Sequence, residues 1–241
     1  MTNAEILDYM LVRYDVISSS GAPGYEDSDL SLLFNKAQKV FVKSLVNEDA
    51  NPAKKGAEET EKRSKDLVEL KDHSVISTFT TGDHGAVSYF VELPVDFWLT
   101  LKEECSITYN NICNVSVTER VPVKPIKEDY YNANIKNPYK KPYSEQLWRL
   151  DRERTNTTNA LSATNLKRHE LIVFNGATPI NYRVSYYRRP KQVDLTNIND
   201  YCELDPMNHE KIADIAVELM MQTTGRPEFQ TKSFENKQII E

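Results

Sequence analysis

The sequence predicts an α+β fold: a helical bundle (N-terminal helices plus a C-terminal helix) packed beside an antiparallel β-sandwich or barrel-like region, with an extended C-terminal arm. Three observations predict it. Apolar residues recur with a helical period near both ends of the chain, and the period becomes strand-like at Ser74. Gly225 and Pro227 then stop the last helix ahead of a mainly polar tail. The order helices, strands, helix places residues 1–73 in an N-terminal helical region and 74–203 in a β-rich region. Residues 204–224 form a returning helix and 225–241 an arm.

The first helix starts at a capping box, Thr2 three residues ahead of Glu5. Ile6, Leu7, Met10, Leu11, Tyr14 and Ile17 share one of its faces, and Gly21 and Pro23 end it. Glu26, Asp27 and Asp29 open the second helix, where the macrodipole favours negative charge. Its stripe is Leu30, Leu33, Phe34, Ala37, Val40, Phe41 and Leu45. From Ala57 to about Asp72 a charged helix is expected, with i,i+4 pairs Glu58–Lys62, Glu59–Arg63 and Glu61–Lys65.

Val75–Thr81 and Ala86–Val91 flank Gly82-Asp83-His84-Gly85 and predict a hairpin. Pro94 to about Lys102 reads as a short helical insert, and strands resume at Cys105–Tyr109 and Ile112–Pro122. The four prolines between Pro122 and Pro142 predict an extended excursion. Further strands fall at Gln146–Arg152, Glu170–Phe174 and Asn181–Arg188. Asp205 is the expected N-cap of the last helix and Pro206 its first residue, with Ile212, Ile215, Ala216, Leu219 and Met220 as its apolar face.

Composition narrows the function. Apolar residues are 39% of the chain and charged residues 27%, a globular balance. The net charge of −6, with both signs interspersed, does not suit a free nucleic-acid binder, yet it permits a channel wall along which DNA slides without sticking. The charged opening MTNAEILDYM argues against a secretory leader, and no apolar run nears the roughly 20 residues of a membrane span. Three cysteines, Cys105, Cys113 and Cys202, do not suggest a disulfide framework, so synthesis in a reducing cytoplasm is expected.

No phosphate loop, GxGxxG, GxSxG, HExxH or CxxC motif is present. No catalytic, cofactor-binding or metal-binding residue is therefore assigned. His84 beside Asp83 is the best acid–base or metal candidate, but Asp-His also suits a hairpin turn. Cys113 lies in an expected strand, where packing is its plainer role. A different pattern occupies residues 124–143, where Lys124, Lys127, Lys140 and Lys141 alternate with Tyr130, Tyr131, Tyr139 and Tyr143. Such interleaving serves an inter-subunit or channel loop, or binds single-stranded nucleic acid by charge and stacking. In the arm, Phe229, Phe234, Ile239 and Ile240 sit among charges, as anchors for a pocket on a partner would.

Several segments resemble one family. They are Ser19–Asp27 leading into Leu33–Gln38, Lys54–Arg63, Asn137–Pro142 before Leu147–Leu150, Tyr186–Pro190 and His209–Ile212. Together they resemble a connector ring protein of crAss-like phages, over most of the chain, and the order of elements is similar to the tail-adaptor fold of short-tailed phages. The resemblance implies a virion protein at the head–tail junction: a ring, expected to hold twelve copies, beneath the portal and extending the DNA channel for ejection. It implies no active-site residue and no cofactor. The partners it implies are further copies, the portal, the next tail or ring protein, and double-stranded DNA passing without sequence-specific contact. A neighbouring ring of the same stack is the alternative position.

Overall fold

The structure, a computed structural model, describes residues 1–17, 24–46, 61–153, 167–197 and 199–224. The chain divides into two compact units, Met1–Leu70 with Arg189–Glu241, and Lys71–Arg188.

The first unit is helical. Helix α1 (Asn3–Ile17) begins at the expected capping box. The Thr2 N–H donates to Glu5 Oε2 at 2.8 Å, and the Glu5 N–H donates back to Thr2 Oγ1 at 3.3 Å. Ile6, Met10 and Tyr14, four residues apart, are its buried positions. Helix α2 (Asp27–Val46) buries Leu30, Leu33, Phe34, Ala37, Phe41 and Leu45, as its stripe predicts. Val40 departs from the expectation: it is 41% exposed, and Val42 is buried in its place. Helix α5 (His209–Thr224) packs against both α1 and α2, which hardly touch each other. It consequently buries a wide apolar face, made of Ile212, Ala213, Ile215, Ala216, Val217, Met220 and Met221. Asp205 caps its entry, where Oδ1 accepts from the Met207 N–H at 2.9 Å across a 3₁₀ turn, Pro206–Asn208.

The charged helix before the β unit ends earlier than its pattern. Helix α3 covers Glu61–Asp66, and a 3₁₀ turn, Val68–Leu70, follows. Glu61 and Lys65 pair at 2.8 Å, whereas Glu58 and Glu59 lie outside the described residues. Leu67 and Leu70 go into the core and end the helical run, because each exposed pair adds only about 0.3–0.5 kcal/mol.

Among the described residues, the second unit is an eight-stranded sheet curled into a half-barrel. Its strands are β1 (Lys71–Ile76), β2 (Thr80–Thr81), β3 (Ser88–Glu92), β4 (Phe97–Asn110), β5 (Ser116–Pro125), β6 (Leu147–Glu153), β7 (Lys167–Ile172) and β8 (Thr178–Arg188). The order is β1-β8-β4-β5-β6-β7-β3-β2. Every pairing is antiparallel except β5 with β6, where Val123, Lys124 and Pro125 lie beside Leu147, Trp148 and Arg149 in parallel. Alternation sorts the side chains. Leu147, Leu171, Tyr182, Val184 and Tyr186 join the main core, while Trp148, Leu150 and Ile172 face the other way.

Four expectations are corrected. The hairpin at Gly82–Gly85 is narrower than its flanks suggest: only Thr80 and Thr81 pair with Phe90 and Tyr89, because β1 pairs with β8 instead. The expected helical insert at Pro94–Lys102 is the start of the long strand β4. A single turn closes there, Phe97 N–H to Pro94 O at 3.1 Å, before β8 captures the chain through bulges near Leu99 and Lys102. The excursion after Pro125 contains helix α4 (Glu128–Asn134). Ile112 and Cys113, expected in a strand, lie in the exposed β4–β5 turn.

Candidate inter-subunit surface

Residues 124–143 divide into an anchored half and a free half. At the end of β5 the Ile126 N–H donates to Arg149 O at 2.9 Å, which aims the chain across β6. Helix α4 then lays two tyrosines on one tryptophan: Tyr130 and Tyr131 meet Trp148 edge-on at 5.5 and 6.5 Å between centroids. Ile126 and Ile135 complete this second core with Trp148, Leu150 and Ile172. Tyr130 and Tyr131 are thus fold anchors, which accounts for two of the predicted site tyrosines.

Between the end of β5 and α4 runs a groove of about 660 Å³, lined by Lys124, Pro125, Ile126, Tyr130, Ala133 and Asp151 among others. Its floor is apolar, and Lys124, Lys127, Asp129 and Asp151 place both charge signs on its rim. The Lys124 ammonium sits 5.5 Å from the Tyr130 ring centre, a cation–π contact. Lys124, Lys127 and Tyr130 are therefore brought together.

Tyr139, Lys140, Lys141 and Tyr143 occupy the outward turn beyond α4. Asn137 shapes it: Oδ1 accepts from the Tyr139 N–H at 3.0 Å, and its carbonyl accepts from the Lys140 and Lys141 N–H groups at 3.2 and 3.0 Å. Tyr143 and Gln146 exchange backbone bonds at 3.1 Å each way. The result is a defined turn that leaves Tyr139 93% and Tyr143 46% exposed, with Lys140 and Lys141 in solvent. Phe229, Phe234, Ile239 and Ile240 of the predicted arm lie outside the described residues.

His84 is engaged by a carboxylate other than the neighbouring Asp83. Its Nδ1–H donates to Glu170 Oε1 at 2.9 Å, and the same oxygen accepts from the Asp83 and His84 backbone N–H groups at 2.8 and 3.1 Å. Arg152 Nε–H donates to Glu170 Oε2 at 2.8 Å, and Arg152 also pairs with Glu128 of α4. Burial alone raises the Glu170 pKa, but hydrogen bonds from His84 and Arg152 outweigh it and leave the carboxyl below its ordinary value. Gly82 is required here, since an added Cβ would stand 2.4 Å from Ser88 Oγ and 2.7 Å from Glu170 Oε1. The His84 ring also rests 4.2 Å from that of Tyr131. These contacts tie the turn, β6, β7 and α4 together.

A second buried polar cluster has no counterpart in the sequence motifs. Arg149 lies 3.2 Å from Glu103 and 2.8 Å from Asp151, and its Nη1–H donates to His169 Nε2. His169 Nδ1–H then donates to the Tyr182 hydroxyl at 2.8 Å. Burial, reinforced by the Arg149 charge, outweighs the opposing pull of Asp151 at 3.4 Å and lowers the His169 pKa to about 4. Its lone pair is occupied by Arg149, so the ring is held neutral as a structural bridge. The residues come from β4, β6, β7 and β8, and only the strand order shows that they meet. Among the described residues, no group of three or more His, Cys, Asp or Glu side chains is arranged to hold a metal ion.

The geometry presents surfaces, and the comparisons with known proteins agree in kind. The family model described as phage tail ring protein 3/4 matches residues 1–231. A curated relative, ring protein 4/5 of Bacteroides phage crAss001, is 32% identical over 227 residues, covering 86% of this chain and 87% of that one. Both support a structural ring component of the virion, and the matched span contains both compact units up to residue 231. The chain accordingly belongs to the phage tail ring protein 3/4 family of crAss-like phages.

Proposed function

We propose that the chain is a non-enzymatic subunit of a closed homo-oligomeric ring in the stack joining the portal to the tail, and that this ring extends the DNA channel. The observation that carries the reading is the family match over residues 1–231. Twelve copies is the expected number, by resemblance to connector rings. The numbers 3/4 and 4/5 in the matching names support a place among several successive rings. A portal adaptor, seated directly on the portal, is the other position in the same stack.

In this reading Tyr139, Lys140, Lys141 and Tyr143 meet a neighbouring subunit or face the channel, and Phe229, Phe234, Ile239 and Ile240 clasp the portal or an adjacent copy. A net charge of −6 suits a wall that DNA passes without adhering. The test is electron microscopy of the purified chain mixed with the portal and tail components of its phage. A ring on the tail-side end of the portal supports the adaptor position, and a ring on another tail ring supports the stack position. A chain that joins no virion component refutes both. Removing residues 226–241 is expected to leave a folded chain that no longer docks, as circular dichroism and the same imaging would read.

A further inference from the structure

The β4–β5 turn is a built knob of unusual chemistry. Its tip, Asn111–Val115, carries no charge, and Ile112 is fully exposed while Val115 is 56% exposed. Asn111 holds it rigid: Oδ1 accepts from the Cys113 and Val115 N–H groups at 2.9 and 3.0 Å. The Asn111 N–H donates to Val115 O at 3.0 Å, and its carbonyl accepts from the Asn114 N–H at 2.9 Å. Asn114 takes a positive φ of 55°, which asparagine tolerates better than most residues. The hairpin also outruns its neighbours. β8 begins opposite Thr108, and β6 joins β5 only at Val123.

The groove beside α4 lies at the other end of the same strand. β5 runs from Ser116 at the knob to Pro125 at the groove, about 30 Å in extended chain. The two cannot meet within one subunit. An uncharged apolar knob matches an apolar floor with a charged rim, the usual division between the centre and edge of an interface. A knob and a hole on opposite ends of one subunit make a head-to-tail contact, the kind that closes into rings rather than two-fold dimers.

We propose that Ile112 and Val115 of each subunit seat in the Pro125–Ile126–Tyr130–Ala133 groove of the next copy around the ring. This deepens the ring reading and rests on it. Ala133 is exposed on α4, and Cys113 stands on the tip beside Ile112, whereas Cys105 and Cys202 are buried.

The test uses the full chain carrying Ala133→Cys, assembled into rings alone or with its tail components, and treated with a short bis-maleimide. The expected result is a covalent ladder of this chain rising to the ring's copy number, and no ladder when Cys113→Ser is added. Separately, Ile112→Asp is expected to leave the subunit folded, since Ile112 has no contact to lose, and to raise the concentration needed for assembly roughly ten- to hundredfold. Rings that form normally with Ile112→Asp and give no ladder overturn the knob-and-groove contact while leaving the ring reading intact. Crosslinking of Cys113 to a different tail protein overturns the choice of a second copy. A chain that forms no ring with any component refutes the ring reading itself.

Discussion

Replacing Glu170 with glutamine keeps the size of a fully buried side chain and removes its charge. In the native unit its two oxygens accept from four donors: the Asp83 N–H, the His84 N–H, the His84 ring and Arg152. An amide has one acceptor oxygen, so its NH₂ must face either Arg152 Nε–H or the N–H groups of the turn, donor against donor. A lost hydrogen bond to a charged group is worth about 1.5–3 kcal/mol, and stranding one partner of a buried pair about 3–5. Arg152 keeps Glu128, which lowers the expected figure to about 3 kcal/mol, or roughly 10 °C for a unit of this size. Urea denaturation at pH 7 measures it. The sign with pH is fixed, because the folded-state pKa lies below the ordinary value of 4.5. Glu170's contribution is complete above that value and is lost as pH falls through the folded-state pKa, so the gap between native and Glu170→Gln chains should narrow in acid. Asp83→Ala, which leaves the backbone donor in place, should change stability by less than about 0.5 kcal/mol. A Glu170→Gln chain as stable as the native one at pH 7 would refute the reasoning.

Three further outcomes are expected. His169, held at about 4 when folded against an ordinary 6.5, makes the native chain lose about 3 kcal/mol between pH 6.5 and 4, because the unfolded chain takes up the proton first. His169→Gln should flatten that slope in denaturation curves collected across the interval. Phe34→Ala in α2, a site with no exposed surface, should cost about 3–5 kcal/mol by chemical denaturation, and Leu32→Ala, at 66% exposure, under about 0.5. Asp205→Ala should lower stability by about 1 kcal/mol and speed hydrogen exchange of the Met207 amide, which it now receives.

Elements whose causes lie within a few residues were legible in the sequence. The Thr2–Glu5 capping box, the α2 stripe and the Asp205 cap are local, and each stands in the structure where its pattern puts it, Val40 apart. Elements decided by distant partners were not. Pro94–Lys102 has a helix-like start, and β8, some 85 residues further on, makes it a strand. Helix α4 rests on Trp148, and nothing within its seven residues announces that support. The site divides in the same way. The Lys and Tyr alternation singled out residues 124–143, but it took Trp148 to separate the partly buried Tyr130 and Tyr131 from the exposed Tyr139 and Tyr143. His84 suggested a neighbouring carboxylate, and the partner is 86 residues away. The β4–β5 turn had a readable signal that a strand assignment overrode: Asn110, Asn111 and Asn114, a residue type that favours turns and positive φ.

The pairing of β1 with β8 sets Lys71 opposite Tyr187, so the polypeptide enters and leaves the β unit on adjacent strands. Cross-strand neighbours of this kind lie about 5 Å apart, a gap that a two- or three-residue linker spans. In genetic terms the stretch 71–188 has the layout of a cassette within a helical frame, with its two junctions side by side. A lineage could exchange the cassette, or alter the knob and groove it carries, without re-evolving the helices. Successive rings of one tail could then diverge from a common ancestor by changing the insert while retaining the frame that receives it.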